Sequence, residues 1–425
     1  MTFREENIGN YVFNGRNGEY KVVNKFPEGG LGIVFLAEEI NSGKHCVIKA
    51  LKPEVQQIDK GDKLVNLFSR EIKILRESKH PNMVKYIDDF EDEAEYFTTD
   101  WKKRTRKMLF LVMEYIKGRN LDEVGIPSEE NAVVDWLITT CDVLDHNHQH
   151  EIYHRDIKPK NIMLEDATNK IFVIDYGIAR NNDSTGGTEV FTPGFASPEQ
   201  VVGEVIDNRT DIYSLGCTAY WLLTGKHYFD PIKKERSLCT RDLPPDQIST
   251  DPNIRTIDQK LNTIITTAVK ENRINRYWHI LDMKLRLESL RDSSILERPE
   301  KSAKLVNTNT GENSPIMRVV TQLGRKNPNC YNDVSIEDST LDSSFNGGKY
   351  YNDMYISKQH ARIIMKKKRY HLQDTYSTNG TYLNDKILAG TELKGLHDGD
   401  YIKLGPLELK NTGSFTFILV DAPNQ

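Results

Sequence analysis

The spacing of apolar residues changes along the chain and divides it into parts. From Tyr20 onward, short runs such as YKVVNKF, IVFLAEE and CVIKALK alternate with glycine turns, which is typical of β-strands. Between Lys63 and Ser78, apolar residues recur at spacings of three and four, namely Leu64, Phe68, Ile72 and Leu75. This spacing predicts one helix. After MLFLVMEY the apolar stripes are mainly helical. The pattern predicts a small β lobe followed by a larger helical lobe.

The C-terminal part has a different pattern. From Ala303 onward, alternating runs such as RVVTQLGR, ARIIMKK and SFTFILV are separated by NG, GG and DG turns, which predicts an all-β sandwich. A polar, proline-containing segment precedes it, and a Ser/Asp/Asn/Gly-rich stretch at 337–352 indicates a long loop within it. We expect an α+β chain with these divisions: N-terminal extension 1–17, two-lobed domain 18–291, linker 292–300 and β-sandwich 301–425.

Composition excludes several classes of protein. Hydrophobic residues make up 38% and charged residues 28% of the chain, with a formal net charge of -5, as in soluble globular proteins. The chain has no excess of basic residues, so a nucleic acid partner is not expected. The five cysteines are scattered without a CxxC spacing, so we expect neither disulfides nor a zinc site. This usage fits a protein of the reducing cytoplasm. No apolar run has the length of a signal peptide or a membrane helix, so no membrane insertion is expected.

Two polar clusters are given no role. The basic run Trp101–Lys107 is predicted to be a solvated loop rather than a docking patch. His146, His148 and His150 are spaced by two, which fits no single helical face, so a metal site is rejected there.

A glycine-rich segment and a lysine suggest a phosphate site in the β lobe. PEGGLGIVFLA lies between two predicted strands, where glycines let backbone N–H groups approach phosphate oxygens. Lys49, in CVIK, lies on an apolar strand and needs an anionic partner to stay charged. Glu71, on the predicted helix that follows, is the candidate partner.

A second group of residues suits phosphoryl transfer. HRDIKPKN places Asp156, Lys158 and Asn161 in one loop, and IDYG places Asp175 at the end of an apolar strand. The reaction needs a carboxylate for the hydroxyl proton, a lysine for the phosphate, and oxygen ligands for magnesium.

With these motifs in order, residues Gly18 to Arg291 resemble the eukaryotic-like (Hanks-type) protein kinases of bacteria. The resemblance implies ATP and Mg²⁺ as cofactors, with Mn²⁺ as a substitute, and Asp156 as the catalytic base. It implies that Lys158 contacts the γ-phosphate, that Lys49 pairs with Glu71, and that Asn161 and Asp175 bind the metal. It also implies nucleotide contacts from residues of the glycine loop, the adenine roof, the gatekeeper position and the hinge: Gly29, Gly30, Gly32, Val34, Met113, Glu114 and Ile116.

Later landmarks of this family are also present. Glu199 in SPE, Asp211 in DIYSLG and Arg276 in RINRYW match family positions that support the fold, and Glu199 is expected to pair with Arg276. Two positions depart from the family pattern, because Pro27 replaces the first loop glycine and Tyr176 replaces a phenylalanine. Tyr176 is expected to pack in an apolar spine with Leu75, Tyr86 and His154.

The resemblance also predicts the acceptor and a mode of activation. Lys158 and Thr192 match the serine/threonine branch of the family. Arg155, beside the catalytic aspartate, is typical of kinases whose activation loop is ordered by its own phosphate. Thr185 and Thr188 are the candidate autophosphorylation sites, and the sequence does not choose between them. A homodimer for phosphorylation in trans is compatible with this scheme.

The C-terminal sandwich resembles the forkhead-associated (FHA) domain, which binds phosphothreonine peptides. RVVTQLGR, ISKQHARI and YSTNGTYLN carry the resemblance, over about Lys301 to Ala422. A bound phosphate needs a guanidinium and hydroxyl or amide donors. The residues expected to provide them and to hold the peptide are Arg325, Ser357, Lys358, Thr378 and Asn379. Gly324 and His360 are expected to shape the loops from behind.

Two hypotheses for the whole chain follow. In the first, it is an active kinase of protein serine and threonine residues, whose FHA domain binds phosphothreonine on itself or on a partner. In the second, the kinase fold is a scaffold and the phosphopeptide module does the work. The complete set of lysine, base and magnesium ligands favours the enzyme.

Overall fold

The alternating segments of the N-terminal part form one antiparallel sheet. The structure, a computed structural model, describes residues 11–27, 32–52, 61–97, 103–176, 191–228, 257–325, 332–336, 356–407 and 413–421. The first elements are β1 (Val12–Asn14), β2 (Glu19–Lys25), β3 (Gly32–Glu39), β4 (Lys44–Leu51), α1 (Gly61–Glu77), β5 (Tyr86–Phe97) and β6 (Lys103–Glu114). The strand order is β1-β2-β3-β4-β6-β5. The edge strand β1 lies within the segment expected as the N-terminal extension.

Aromatic rings fill the core of this lobe. The ring centroids of Phe13 and Phe110 lie 4.8 Å apart, and those of Phe90 and Phe110 lie 5.2 Å apart. These side chains are almost completely buried. Their contacts stabilise the sheet whose strands carry the candidate nucleotide site.

The prediction of a loop across the basic run was wrong from Lys103 onward. Those residues belong to β6 and pair with the end of β5 in a long hairpin. Opposite charges on the two strands favour this pairing, since Lys107 forms an ion pair with Glu91.

The following lobe is mainly helical. Its elements are β7 (Gly118–Asn120), α2 (Leu121–Val124), α3 (Glu130–Gln149), β8 (Ile162–Glu165), β9 (Ile171–Val173), α4 (Pro198–Val202), α5 (Arg209–Thr224), α6 (Gln259–Ala268) and α7 (Ile280–Ser289). The apolar stripes of α3 and α5 are buried against each other and against α6. A small sheet in the order β7-β8-β9 holds the two ends of the candidate catalytic segment, because β8 and β9 are antiparallel neighbours.

The C-terminal part is a sandwich of two sheets. Its strands are β10 (Ser302–Asn307), β11 (Asn313–Pro315), β12 (Val320–Arg325), β13 (Val334–Ile336), β14 (Ala361–Lys366), β15 (Arg369–Asp374), β16 (Thr381–Leu383), β17 (Lys386–Ile387), β18 (Lys394–Gly395), β19 (Tyr401–Leu404) and β20 (Ser414–Val420). One sheet has the order β11-β10-β20-β19-β16-β17 and the other β13-β12-β14-β15-β18. Alternate apolar residues of both sheets form a common core.

The segment expected as a linker is partly ordered. Ser293–Leu296 forms a 3₁₀-helix that follows α7, and the side chain of Ile295 is buried. Among the helices that the structure describes, none combines the length and the apolar character needed to cross a bilayer.

Candidate active site

Lys49 joins the β lobe to the helical lobe. Its ammonium nitrogen lies 2.9 Å from Glu71 Oε1 on α1 and 2.7 Å from Asp175 Oδ1, beyond β9. Burial alone would lower the pKa of Lys49, but the two carboxylates outweigh burial and raise that pKa. For Asp175, burial alone would raise the pKa of the carboxyl group. The neighbouring Lys49 ammonium outweighs burial and lowers that pKa. The ammonium and the Asp175 carboxylate are therefore both charged near neutral pH.

Asp156, Lys158 and Thr192 form a compact polar triangle. Lys158 Nζ lies 2.8 Å from Asp156 Oδ2, and the Thr192 hydroxyl donates to Asp156 Oδ1 at 3.0 Å. The same hydroxyl accepts a hydrogen bond of 2.9 Å from Lys158. The side-chain amide of Asn161 donates to the backbone oxygen of Asp156 at 2.8 Å. Both carboxylate oxygens are thereby held in fixed directions, with a cation beside them.

Asp211 holds the backbone that leads into this triangle. Its carboxylate accepts hydrogen bonds from the backbone N–H groups of His154 at 2.9 Å and Arg155 at 2.7 Å. It also lies 2.8 Å from Nε2 of His148. Arg155 has a φ angle of 65°, which is unfavourable for a non-glycine residue, so these contacts stabilise a strained turn just before Asp156. The sequence had indicated the supporting role of Asp211, but not its contact with His148.

The residues expected at the nucleotide lie along β3, β4 and β6. Gly32 starts β3, and Val34 pairs with Lys49 across the β3–β4 ladder. Met113 and Ile116 are buried where β6 leaves the sheet. The Glu114 N–H donates to the backbone oxygen of Lys85 at 2.9 Å. Other predicted residues lie outside the described ranges, namely Gly29, Gly30, Thr185 and Thr188.

Glu199 and Arg276 form the predicted ion pair. Arg276 donates to both oxygens of Glu199, at 2.7 Å and 2.9 Å, and its side chain is 0% exposed. Thr210 donates a further hydrogen bond of 2.9 Å to Glu199. Burial favours a high pKa for Glu199, but Arg276 lowers it, so the carboxylate is charged. The pair fixes the start of α4 to the segment before α7.

Tyr176 occupies the apolar spine as expected. Its ring lies 4.9 Å from that of His154, centroid to centroid, and it belongs to the buried cluster that includes Leu75, with Tyr86 packed against it. Its hydroxyl accepts a hydrogen bond of 2.9 Å from the amide of Asn147. Asn147 is a residue that the sequence did not single out, and it provides the polar partner that the extra hydroxyl requires.

The predicted phosphate-binding residues of the sandwich lie together. The Arg325 N–H donates to the backbone oxygen of Ser357 at 3.0 Å, and the Thr378 N–H donates to Ser357 Oγ at 3.1 Å. Lys358 follows Ser357 in the chain, and Asn379 follows Thr378. Three loop segments therefore meet at this pocket.

Residues behind the pocket fix these loops. The buried His360 accepts a hydrogen bond of 2.9 Å from the Ser357 N–H and lies 2.9 Å from the backbone oxygen of Gly380. A Cβ on Gly324 would lie 2.0 Å from the backbone oxygen of Lys358, so only glycine fits there. Asn332, which the sequence gave no reason to choose, donates to that same oxygen at 2.7 Å.

Comparison with known families identifies the two domains. The sequence matches the family described as "Protein kinase domain" over residues 20–280, which is more than half of the chain. The chain belongs to the protein kinase family. In the same chain, residues 321–405 match the description "FHA domain". The resemblances to Hanks-type kinases and FHA modules, and the expected α+β class, are confirmed.

Several curated proteins are similar to this chain. The serine/threonine-protein kinase PknB of Mycobacterium leprae is 30% identical over 283 residues, covering 64% of this chain and 43% of that protein. Pkn1 of Myxococcus xanthus is 31% identical, with 62% and 37% covered, and Nek1 of Mus musculus is 34% identical, with 50% and 17% covered. The chain thus spans less than half the length of these relatives. The solved kinase domain of Mycobacterium tuberculosis PknI is 21% identical, with 66% of this chain and 97% of that chain covered and a TM-score of 0.49.

Proposed function

We propose that this chain is an ATP- and magnesium-dependent protein serine/threonine kinase with a phosphothreonine-binding FHA domain. The observation that carries the proposal is the triangle of Asp156, Lys158 and Thr192. A base held by a neighbouring cation and a hydroxyl is oriented for one acceptor position, as transfer to a serine or threonine hydroxyl requires.

Each residue of the site has a chemical role in this proposal. ATP with Mg²⁺ supplies the phosphoryl group and screens its charge. Asp156 orients the acceptor hydroxyl and takes its proton, and Lys158 faces the transferred phosphate. Lys49, fixed by Glu71, holds the α- and β-phosphates.

The donor set fits a magnesium ion. The Asn161 amide nitrogen is used by the Asp156 backbone oxygen, so the amide oxygen is the atom suited to a cation. The Asp175 carboxylate is 45% exposed and charged. Hard oxygen ligands of these two kinds are those that Mg²⁺ prefers, and Mn²⁺ accepts the same set.

The remaining nucleotide contacts follow from the family. We propose that backbone groups at Gly29, Gly30 and Gly32 approach the phosphates. The adenine would lie between Val34 and the helical lobe, beside the residues of the gatekeeper position and hinge, Met113, Glu114 and Ile116.

In the sandwich, the residues proposed to bind a phosphothreonine peptide are Arg325, Ser357, Lys358, Thr378 and Asn379. The meeting of their three loop segments supports this role. We further propose autophosphorylation at Thr185 or Thr188, in trans within a transient homodimer. The phosphorylated threonine would be one ligand of the FHA domain, and phosphorylated partner proteins would be others.

The division at residues 17, 291 and 300 and the cytoplasmic location remain predictions. Buried free thiols in the described part of the chain, at Cys46, Cys141 and Cys217, are compatible with a reducing compartment.

The test is mass spectrometry of the purified chain after incubation with magnesium and ATP. Wild-type protein is expected to gain phosphate on Thr185 or Thr188, and Asp156→Asn to lose the activity by about 100-fold or more, because the base is removed. Asp135→Asn makes the same chemical change at an exposed ion pair with Arg291 and is expected to behave as wild type. Absence of phosphate transfer to itself and to a generic protein substrate would favour the scaffold hypothesis.

A further inference from the structure

The FHA domain is packed against the helical lobe of the kinase domain. Leu281 and Leu285 of α7 form a buried cluster with Ile295, which follows α7, and with Val320 and Ile364 of the sandwich. These side chains come from both domains and from the segment between them. A shared apolar cluster of this kind holds the two domains in one relative orientation.

Charged side chains reinforce this orientation. Arg362 on β14 donates to both carboxylate oxygens of Asp145 on α3, each at 2.7 Å, and its side chain is 6% exposed. At the far end of β14, Lys366 lies 3.0 Å from Glu288 of α7. The two-pronged arginine contact is directional, so it fixes the rotation of the sandwich on α3.

The same interface reaches the proposed phosphothreonine pocket. Lys358 Nζ lies 2.7 Å from Glu151 Oε2, just beyond the end of α3. Tyr376, in the loop that also carries the phosphate-binding threonine, packs on the kinase domain. Its ring centroid is 4.4 Å from that of His150, and its hydroxyl is 3.3 Å from Nδ1 of His146. Two of the three pocket segments therefore touch the kinase domain.

We propose that Glu151 of the kinase domain competes with phosphothreonine for Lys358. The proposal rests on the phosphothreonine-binding function put forward above. A carboxylate oxygen at 2.7 Å from the ammonium occupies the position that a phosphate oxygen would take. Binding of the peptide then breaks one contact between the domains, so that peptide binding and domain docking oppose each other.

The competition favours the phosphate. The carboxylate carries one negative charge and the phosphothreonine group nearly two, with three acceptor oxygens. The Lys358–Glu151 pair is weak in itself, because the two side chains are 38% and 39% exposed. Nε of Arg325 is buried and has no hydrogen-bond partner among the described residues. An incoming phosphate thus has to displace Glu151 from Lys358.

The coupling works in both directions. If docking lowers the affinity for the peptide by some factor, the peptide weakens docking by the same factor. Glu151 immediately precedes the segment that leads to Asp156, so the contact that the peptide breaks lies at the start of the catalytic segment. Phosphorylated proteins would then loosen the FHA domain from this part of the kinase domain.

The test measures binding of a fluorescent phosphothreonine peptide pool with randomised flanks to the full chain. Glu151→Gln is expected to lower the Kd about two- to five-fold, because an exposed ion pair of this kind contributes little energy. In a Lys358→Met background the same substitution is expected to change nothing, since the competing pair is already gone. The control Glu288→Gln removes an interdomain ion pair at the other end of β14 and is expected to leave the Kd unchanged.

The outcomes separate this inference from the function on which it rests. If wild type binds the pool, Arg325→Ala abolishes binding, and Glu151→Gln leaves the Kd unchanged, the competition is refuted and the phosphopeptide function stands. Equal tightening by Glu151→Gln and Glu288→Gln would also refute it, because undocking as a whole would then be the cause. If the pool binds no better than its unphosphorylated counterpart to any variant, the proposed FHA function fails and the inference with it.

Discussion

The side-chain amide of Asn147 donates a hydrogen bond of 2.9 Å to the hydroxyl of Tyr176, and both side chains are buried. Tyr176 stands at the position where the Hanks-type motif has phenylalanine. The hydroxyl and the amide therefore depend on each other, because either alone would be a buried polar group without this partner.

This relationship makes Tyr176→Phe destabilising although it restores the usual residue of the family. The substitution leaves the Asn147 amide without its acceptor, at a cost of about 1 to 3 kcal/mol in the free energy of unfolding. Urea denaturation of the full chain measures it. The double variant Asn147→Leu with Tyr176→Phe removes both polar groups and is expected to recover part of the loss. A Tyr176→Phe variant as stable as wild type would contradict the argument.

Thr192 is expected to act on catalysis through Asp156. Its hydroxyl donates to Asp156 and accepts from Lys158, so Thr192→Val removes both contacts while keeping the shape. We expect kcat to fall by up to about 100-fold, because the base is no longer held in one direction. The KM for ATP is expected to stay near its wild-type value, since Thr192 contacts the proposed catalytic base, which acts on the acceptor hydroxyl. Steady-state kinetics with a protein substrate measures both constants.

The matched control for that prediction is Thr192→Ser. It keeps the hydroxyl and is expected to restore most of the wild-type kcat. If valine and serine reduced kcat equally, the methyl group rather than the hydroxyl would be the important part of Thr192, and the orienting role would be excluded.

The contacts within the segment proposed to be catalytic could be predicted because they are local. Asp156, Lys158 and Asn161 lie within one short loop, so their spacing alone determines which side chains meet. Lys49 and Glu71 are further apart, but each lies on an element with a clear period, and the order of the elements brings them together.

The docking of the two domains could not be predicted in this way. Arg362 and Asp145 are 217 positions apart, and nothing in the pattern of either segment marks them as partners. The histidines at the C-terminal end of α3 and just beyond it show why the spacing argument was incomplete. His146 and His150 are four residues apart and share a face, with ring centroids at 4.7 Å, while His148 points to Asp211.

Arg276→Met is expected to destabilise the helical lobe strongly. It leaves Glu199 charged and buried without its bidentate partner, which costs about 3 to 5 kcal/mol. Differential scanning calorimetry of the full chain measures the shift in Tm. Arg291→Met removes an arginine from an exposed ion pair with Asp135 and is expected to cost less than about 1 kcal/mol. Similar losses in the two variants would mean that burial of the Glu199 pair has no special weight.

The environment of His146 makes the stability of the folded chain depend on pH. Burial, together with the neighbouring His150 and His80, lowers the pKa of His146 from 6.5 to about 4, while Asp145 opposes the shift. The unfolded chain therefore takes up a proton near pH 6.5, whereas the folded chain does so only near pH 4. The stabilisation by neutral His146 is complete above pH 6.5 and is lost as the pH falls toward 4.

We accordingly expect the Tm of wild type to fall between pH 6.5 and 4, and the fall to be smaller in His146→Gln, which cannot be protonated. Thermal unfolding followed by circular dichroism over this range measures it. His45→Gln changes an exposed histidine on β4 and is expected to keep the wild-type profile. An unchanged profile in His146→Gln would show that other groups account for the acid sensitivity.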